Sequence, residues 1–169
     1  MSPNLKSVLT ALALAAILLT VSVRVIAPKL PPLVGRADVQ ETRNFAHANA
    51  NALRLASTDG MVIITPTSGS SITGNAVIRA FRRGDTTEDQ LREYVAGLVQ
   101  MREEQGALVI QTEPGPRPAE YDLFVQYEIN VPEGTDLEVT SNNGNVWIRP
   151  GCGNVKVAGR NSDIDTAKP

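Results

Sequence analysis

Leu53–Pro66 (LRLASTDGMVIITP) and Leu137–Pro150 (LEVTSNNGNVWIRP) carry Leu, Ser, Gly, Val, Ile and Pro in register over fourteen positions. The second copy continues at a period of nine: Thr135–Val139, Gly144–Ile148, Gly153–Val157 and Ser162–Asp165. Self-similarity of this kind marks strands stacked in sequence, each unit covering the apolar face of its neighbour. Within each unit the apolar residues alternate. Leu137/Val139, Val146/Ile148 and Val155/Val157 share one side, and Glu138, Trp147 and Lys156 the other. Side chains along a strand point to opposite faces, so the pattern predicts a sheet with one buried face. Asp59-Gly60 and Asn143-Gly144 lie between paired apolar runs, where Asn, Asp and Gly tolerate the positive φ of a tight turn. They are expected to close hairpins.

The column Asp136, Asn145, Asn154 and Asp163 reads as turn residues bonding neighbouring backbone. A calcium site needs several converging carboxylates; only the two ends of this column are acidic. No metal or cofactor is expected. After Asp163-Ile164-Asp165 the chain carries only Thr166–Pro169. Asp163, Asp165, Lys168 and Pro169 are expected to blunt the edge that the last strand presents.

Residues 7–23 (SVLTALALAAILLTVSV) are uncharged and almost continuously apolar. Within 1–27 they predict a signal anchor, or a signal peptide if cleaved; Pro28 directly after Val25-Ile26-Ala27 disfavours cleavage. Residues 28–40 are a Pro-rich spacer. The folded unit is expected over 41–169, attached to the cell membrane by a single pass and placed outside the cytoplasm. Lys6 on one side of the span and Arg24, Lys29 and Arg36 on the other leave orientation undecided by charge.

Net charge is −2, without a basic run beyond the membrane-flanking residues, and this argues against nucleic acid as a partner. A single cysteine, Cys152, excludes an internal disulfide. With aromatics at 4 %, the core must be Val, Ile, Leu and Ala.

Strands are expected at 42–46, 52–56, 61–65 and 76–82. Between 86 and 105 the period changes: Leu91, Tyr94, Val95, Leu98 and Val99 fall on one face of an amphipathic helix. Asp85 is the expected cap, with Glu88 three residues on, and Gly106 the expected end. Ala107–Gln111 reads as a strand, Pro114–Pro118 as a rigid turn, and Tyr121–Val131 as a long alternating strand.

Glu128–Ile148 (EINVPEGTDLEVTSNNGNVWI), followed by GNVKV, resembles the bacterial putative-adhesin family. The likeness spans about residues 42–165. It rests on Val131-Pro132, a glycine turn, and the Leu-x-Val-x-Ser-x-x-Gly-Asn-Val unit. It implies a mainly β envelope protein, a β-solenoid or sandwich-like stack with one helix packed on it, and brings no catalytic residues.

His47 is the only histidine. A Ser-His-Asp triad would have to include it, yet no nucleophile-elbow motif accompanies it. No catalytic residue is named and the chain is expected not to be an enzyme. Trp147, with Glu138 and Lys156 on its face, is the candidate recognition group, unless the helix covers it through Leu91 or Leu98. The expected role is binding a surface ligand or partner protein. The alternative is an envelope-sensing regulator acting through a protein partner.

Overall fold

Two sheets share two bent strands. The computed structural model describes residues 37–112 and 121–166, all within a unit spanning Ala37–Pro169. The elements are β1 (Val39–Ala48), β2 (Ala52–Thr67), β3 (Ser71–Arg82), α1 (Glu88–Leu98), β4 (Val99–Glu104), β5 (Ala107–Thr112), β6 (Tyr121–Pro132), β7 (Asp136–Ile148), β8 (Val155–Gly159) and β9 (Ser162–Thr166).

The two copies quoted above are β2 and β7, and they lie side by side. They pair in parallel from Leu53 against Leu137 to Ile64 against Ile148, with Gly60 against Gly144. Each strand changes partners at its glycine. The first leg of β2 pairs with β5 and the second with β6. The first leg of β7 pairs with β8 and the second with β9. One sheet is therefore β4-β5-β2-β7-β8 and the other β1-β3-β6-β2-β7-β9. Both curl around a common core, as an open half-barrel.

The bend follows from the odd repeat length. With side chains alternating every second residue, a nine-residue unit would put successive copies on opposite faces. Leu53, Leu55 and Ser57 are buried on the first leg, and Val62 and Ile64 on the second, so the alternation slips at Thr58–Gly60. The same slip separates Ser141 from Val146. An extra residue of this kind bends a strand and lets it pass from one sheet into another. Gly60 and Gly144 sit at φ +142° and +150°. A Cβ on Gly144 would come within 1.7 Å of Gly60 O, so the close stacking of the two bends requires glycine.

The expected hairpins at Asp59-Gly60 and Asn143-Gly144 are thus corrected to bends inside continuous strands. The true structural period is two units, as Asn154 Nδ2 and N bond Asp136 Oδ1 at 3.1 and 2.8 Å across 18 residues. Asn143 Nδ2 donates to Asp59 Oδ1 at 3.0 Å, and Asn161 Nδ2 to Asn143 Oδ1 at 3.3 Å. These amides form a ladder along the bends. Of the expected column Asp136, Asn145, Asn154 and Asp163, the Asp136 carboxylate accepts from Asn154 N, whereas Asn145 and Asp163 are strand neighbours on the second leg, and a second ladder runs through Asp59, Asn143 and Asn161.

The helix is shorter than the sequence predicts. It ends at Leu98, and Val99–Glu104 is β4, antiparallel to β5 through Gln105-Gly106 at φ +52° and +77°. Both positive values suit a tight hairpin, so Gly106 closes a strand pair instead of a helix. Thr87 is the N-cap, in a reciprocal capping box with Gln90, in place of Asp85 and Glu88. Leu91, Val95 and Leu98 are fully buried.

No basic residue lies in the last turn of α1. Arg43 of β1 supplies one from outside: Nη2 donates to Val95 O at 3.0 Å and Ala96 O at 2.6 Å, and Nη1 to Val99 O at 2.9 Å. A cation there satisfies carbonyls that the helix leaves open and opposes the negative end of its dipole. Glu41 Oε1 accepts from Arg43 Nε at 2.6 Å and orients it.

The expected spacer loses its last residues, since Val39 and Gln40 belong to β1. The expected span 7–23 and the turn at 114–118 lie outside the described residues. Among those described, no helix is long and apolar enough to cross a membrane.

Candidate functional site

The bend divides the outer surface into two chemically different faces. On the first leg, one lateral row runs Arg102, Val109, Arg54, Glu138, Lys156 across five strands. Arg54 Nε lies 3.6 Å from Glu138 Oε2, and Lys156 flanks Glu138 on the other side. Glu104 joins this surface; its hydrogen bond from Arg102 holds its carboxyl below the usual range. Exposed pairs of this sort contribute little to stability. They make a solvated, mixed-charge face.

On the second leg the adjacent row runs Asn44, Asn75, Glu128, Ile63, Trp147, Asp165. The row beside it runs Thr42, Val77, Gln126, Met61, Asn145, Asp163. Trp147 and Ile63 are half-buried neighbours, and Met61 is buried beside them. Glu128, Asp163 and Asp165 flank this apolar strip, and neither row holds a basic residue.

The three residues chosen from the sequence therefore do not form one patch. Glu138 and Lys156 are lateral neighbours, whereas Trp147 lies across the bend on the other sheet. Equating positions in successive nine-residue units, as if each unit lay directly on the one before, placed them together. The helix does not explain Trp147 either, since α1 packs against β1, β3 and β4. Ile63 and Met61 were missed as partners of Trp147. Their signal was present in the in-register copies, where Ile63 aligns with Trp147 and Met61 with Asn145.

His47 on β1 places Nε2 3.3 Å from Glu103 Oε2 on β4, near but not hydrogen-bonded to it, whereas Arg43 bonds Val99 O across the same gap. Cys152 is partly buried against the core, its Sγ 3.7 Å from Arg149 O, and burial pushes its thiol up. Tyr127 is buried, with its hydroxyl 2.7 Å from Thr112 Oγ1. Burial raises it to about 12, against smaller opposing effects of Thr112 and Arg43. Among the described residues no group of His, Cys, Asp and Glu is arranged to hold a metal ion.

No family model matches the chain, and no curated protein does. Among solved structures it is similar to a putative cell adhesion protein from Clostridium sporogenes, with TM-score 0.43 and 12 % identity, covering 72 % of this chain and 58 % of that one. A putative adhesin from Bacteroides fragilis gives TM-score 0.42 and 14 % identity, over 75 % of this chain and 61 % of its own. A putative lipid binding protein from Parabacteroides distasonis gives TM-score 0.34 and 11 % identity, over 75 % and 60 %. The chain thus spans about three-fifths of the length of these proteins.

Proposed function

We propose that this is a non-enzymatic binding module of the cell envelope, held at the membrane through residues 7–23, whose second-leg face recognises a partner protein. One observation carries the reading. Trp147 and Ile63 are half-buried neighbours on the outside of the sheet, beside the buried Met61 and flanked by Glu128, Asp163 and Asp165. An aromatic anchor with charge at its margin is the usual composition of a recognition surface. Acidic margins favour a partner whose own apolar patch is edged by lysine or arginine.

The test is retention of envelope fragments from the source cells on immobilised full-length protein. Trp147→Ala should reduce retention at least about tenfold, as loss of an interface anchor does, while Glu138→Ala on the other face leaves it unchanged. Equal retention by wild type and Trp147→Ala would place recognition elsewhere. No retention by either would overturn the binding reading. Protease added to intact cells distinguishes the two settings of such a module. Cleavage of the β-domain supports the envelope placement, and full protection supports a regulator facing the cytoplasm.

A further inference from the structure

Asn143-Gly144 is the one place in the sequence where glycine follows asparagine. Such a pair is chemically labile. Glycine carries no side chain to hinder its own nitrogen from attacking the side-chain carbon of the residue before it. The pair sits in the bend of β7, with Asp59-Gly60 of β2 opposite it on one side and Ser162 of β9 beside Gly144 on the other. Asn143 is exposed, yet its amide is held at both ends. Nδ2 donates to Asp59 Oδ1 at 3.0 Å, and Oδ1 accepts from Asn161 Nδ2 at 3.3 Å.

We propose that Asn143 is a site of spontaneous deamidation gated by the fold, held off while the two bends are stacked and released when they part. The Gly144 nitrogen gives up its proton and bonds to Asn143 Cγ. The Cγ–Nδ2 bond breaks, and Nδ2 takes up that proton and leaves as ammonia. A five-membered succinimide remains, and one water opens it at either carbonyl to leave aspartate or isoaspartate at 143. One water is consumed and one ammonia released, with no oxidant or reductant. In the stacked bend this closure is opposed in two ways. Swinging Cγ onto Gly144 N breaks both hydrogen bonds of the Asn143 amide. The backbone cannot pivot to meet the side chain either, because Gly144 lies so close to Gly60 that a Cβ on it would come within 1.7 Å of Gly60 O.

Neither product fits the place that the asparagine leaves. An aspartate carboxylate at 143 only accepts hydrogen bonds, and it would stand where Nδ2 donates to Asp59. Two carboxylates would then face each other across paired strands, and like charges so placed are destabilising. Isoaspartate routes the main chain through Cβ and adds one bond between 143 and 144. That moves Gly144 off its register against Gly60, in the one stretch of β2 and β7 with no clearance. The reaction is therefore one-way. It marks chains whose bends have opened and weakens their return to the stacked state.

The test incubates the full-length chain in detergent at one mildly alkaline pH, with and without urea, and follows the peptide containing Asn143 by mass spectrometry. Deamidation should be at least about tenfold slower in the folded chain, because two hydrogen bonds and the strand pairing must break first. Asn161→Ala frees one end of the amide. It should raise the folded-state rate severalfold and leave the rate in urea unchanged. Equal rates with and without urea, or a folded-state rate that Asn161→Ala does not alter, would overturn the gating. Asn143→Asp supplies the aspartyl product in pure form and should unfold at lower urea. Adding Asp59→Asn should restore the midpoint, since the carboxylate at 143 then accepts from amides on both sides. An unchanged midpoint for Asn143→Asp, or no recovery in the double variant, would overturn the one-way consequence.

Discussion

Gly144 and Gly97 show how differently one residue type can be used. Gly144 has φ +150° and no room for a Cβ against Gly60 O. Gly97 lies in α1 with nothing within 4 Å of an added Cβ. Gly144→Ala should cost about 3 kcal/mol or more, from backbone strain and a forced separation of the two bends. Gly97→Ala should gain about 0.5–1 kcal/mol by restricting the unfolded chain. Urea denaturation of the two variants reads both signs, and equal effects would show that the bend is not tightly stacked. Tyr127 supplies a pH signature. Its hydroxyl is raised to about 12 in the fold against an ordinary value of 10.0, so above pH 10 the unfolded state releases a proton that the native state keeps. The stability due to this group is complete below pH 10 and falls between about 10 and 12, at up to ~1.4 kcal/mol per pH unit. Tyr127→Phe should remove that component of the slope in thermal melts taken at each pH.

At the scale of elements, α1 is specified at its two ends by different kinds of information. Its N-terminus is local: Thr87 and Gln90 bond each other's backbone three residues apart. Its C-terminus is not. It is finished by Arg43, which reaches Val95 O, Ala96 O and Val99 O from β1. Arg43→Met should therefore cost about 2–3 kcal/mol, as charged hydrogen bonds to otherwise open carbonyls are lost. Thr87→Ala should cost about 1 kcal/mol, as a cap does. Amide exchange across Glu88–Met101 would separate them: Arg43→Met frays the helix end and β4, and Thr87→Ala frays the start. The junction at Leu98-Val99 also explains the overlong helix read from the sequence. Val99 continues the apolar helical face, and only the hydrogen bonds to β5 draw 99–104 into the sheet.

In the whole molecule, stability should grade from the shared bent strands outward. β2 and β7 carry Leu53, Val62, Ile64 and Val146 at 0 % exposure, whereas β8 and β9 are largely exposed. Local opening follows such gradients, because few buried contacts resist it at an edge. In hydrogen exchange, amides of Val155, Val157 and Ile164 should exchange much faster than those of Val62 and Val146. Equally slow exchange at Val157, Ile164 and Val62 would show that no such gradient exists.

By itself the sequence determined the mainly β character, the in-register copies at 53–66 and 137–150, and the core-facing side chains on each leg. Alternation is local, so Leu137, Val139, Val146 and Ile148 could be placed inside without knowing their neighbours. It also placed a helix through Leu91, Val95 and Leu98. The tertiary structure decided which strands pair. It set β2 against β7 across 84 residues and turned Gly60 and Gly144 from hairpins into bends. It also put Trp147 on a different sheet from Glu138 and Lys156. The physical reason is that a backbone N–H carries no label for its partner. Glycine at positive φ serves a turn or a bend equally well, and only long-range pairing, with the close approach of Gly144 to Gly60, selects between them.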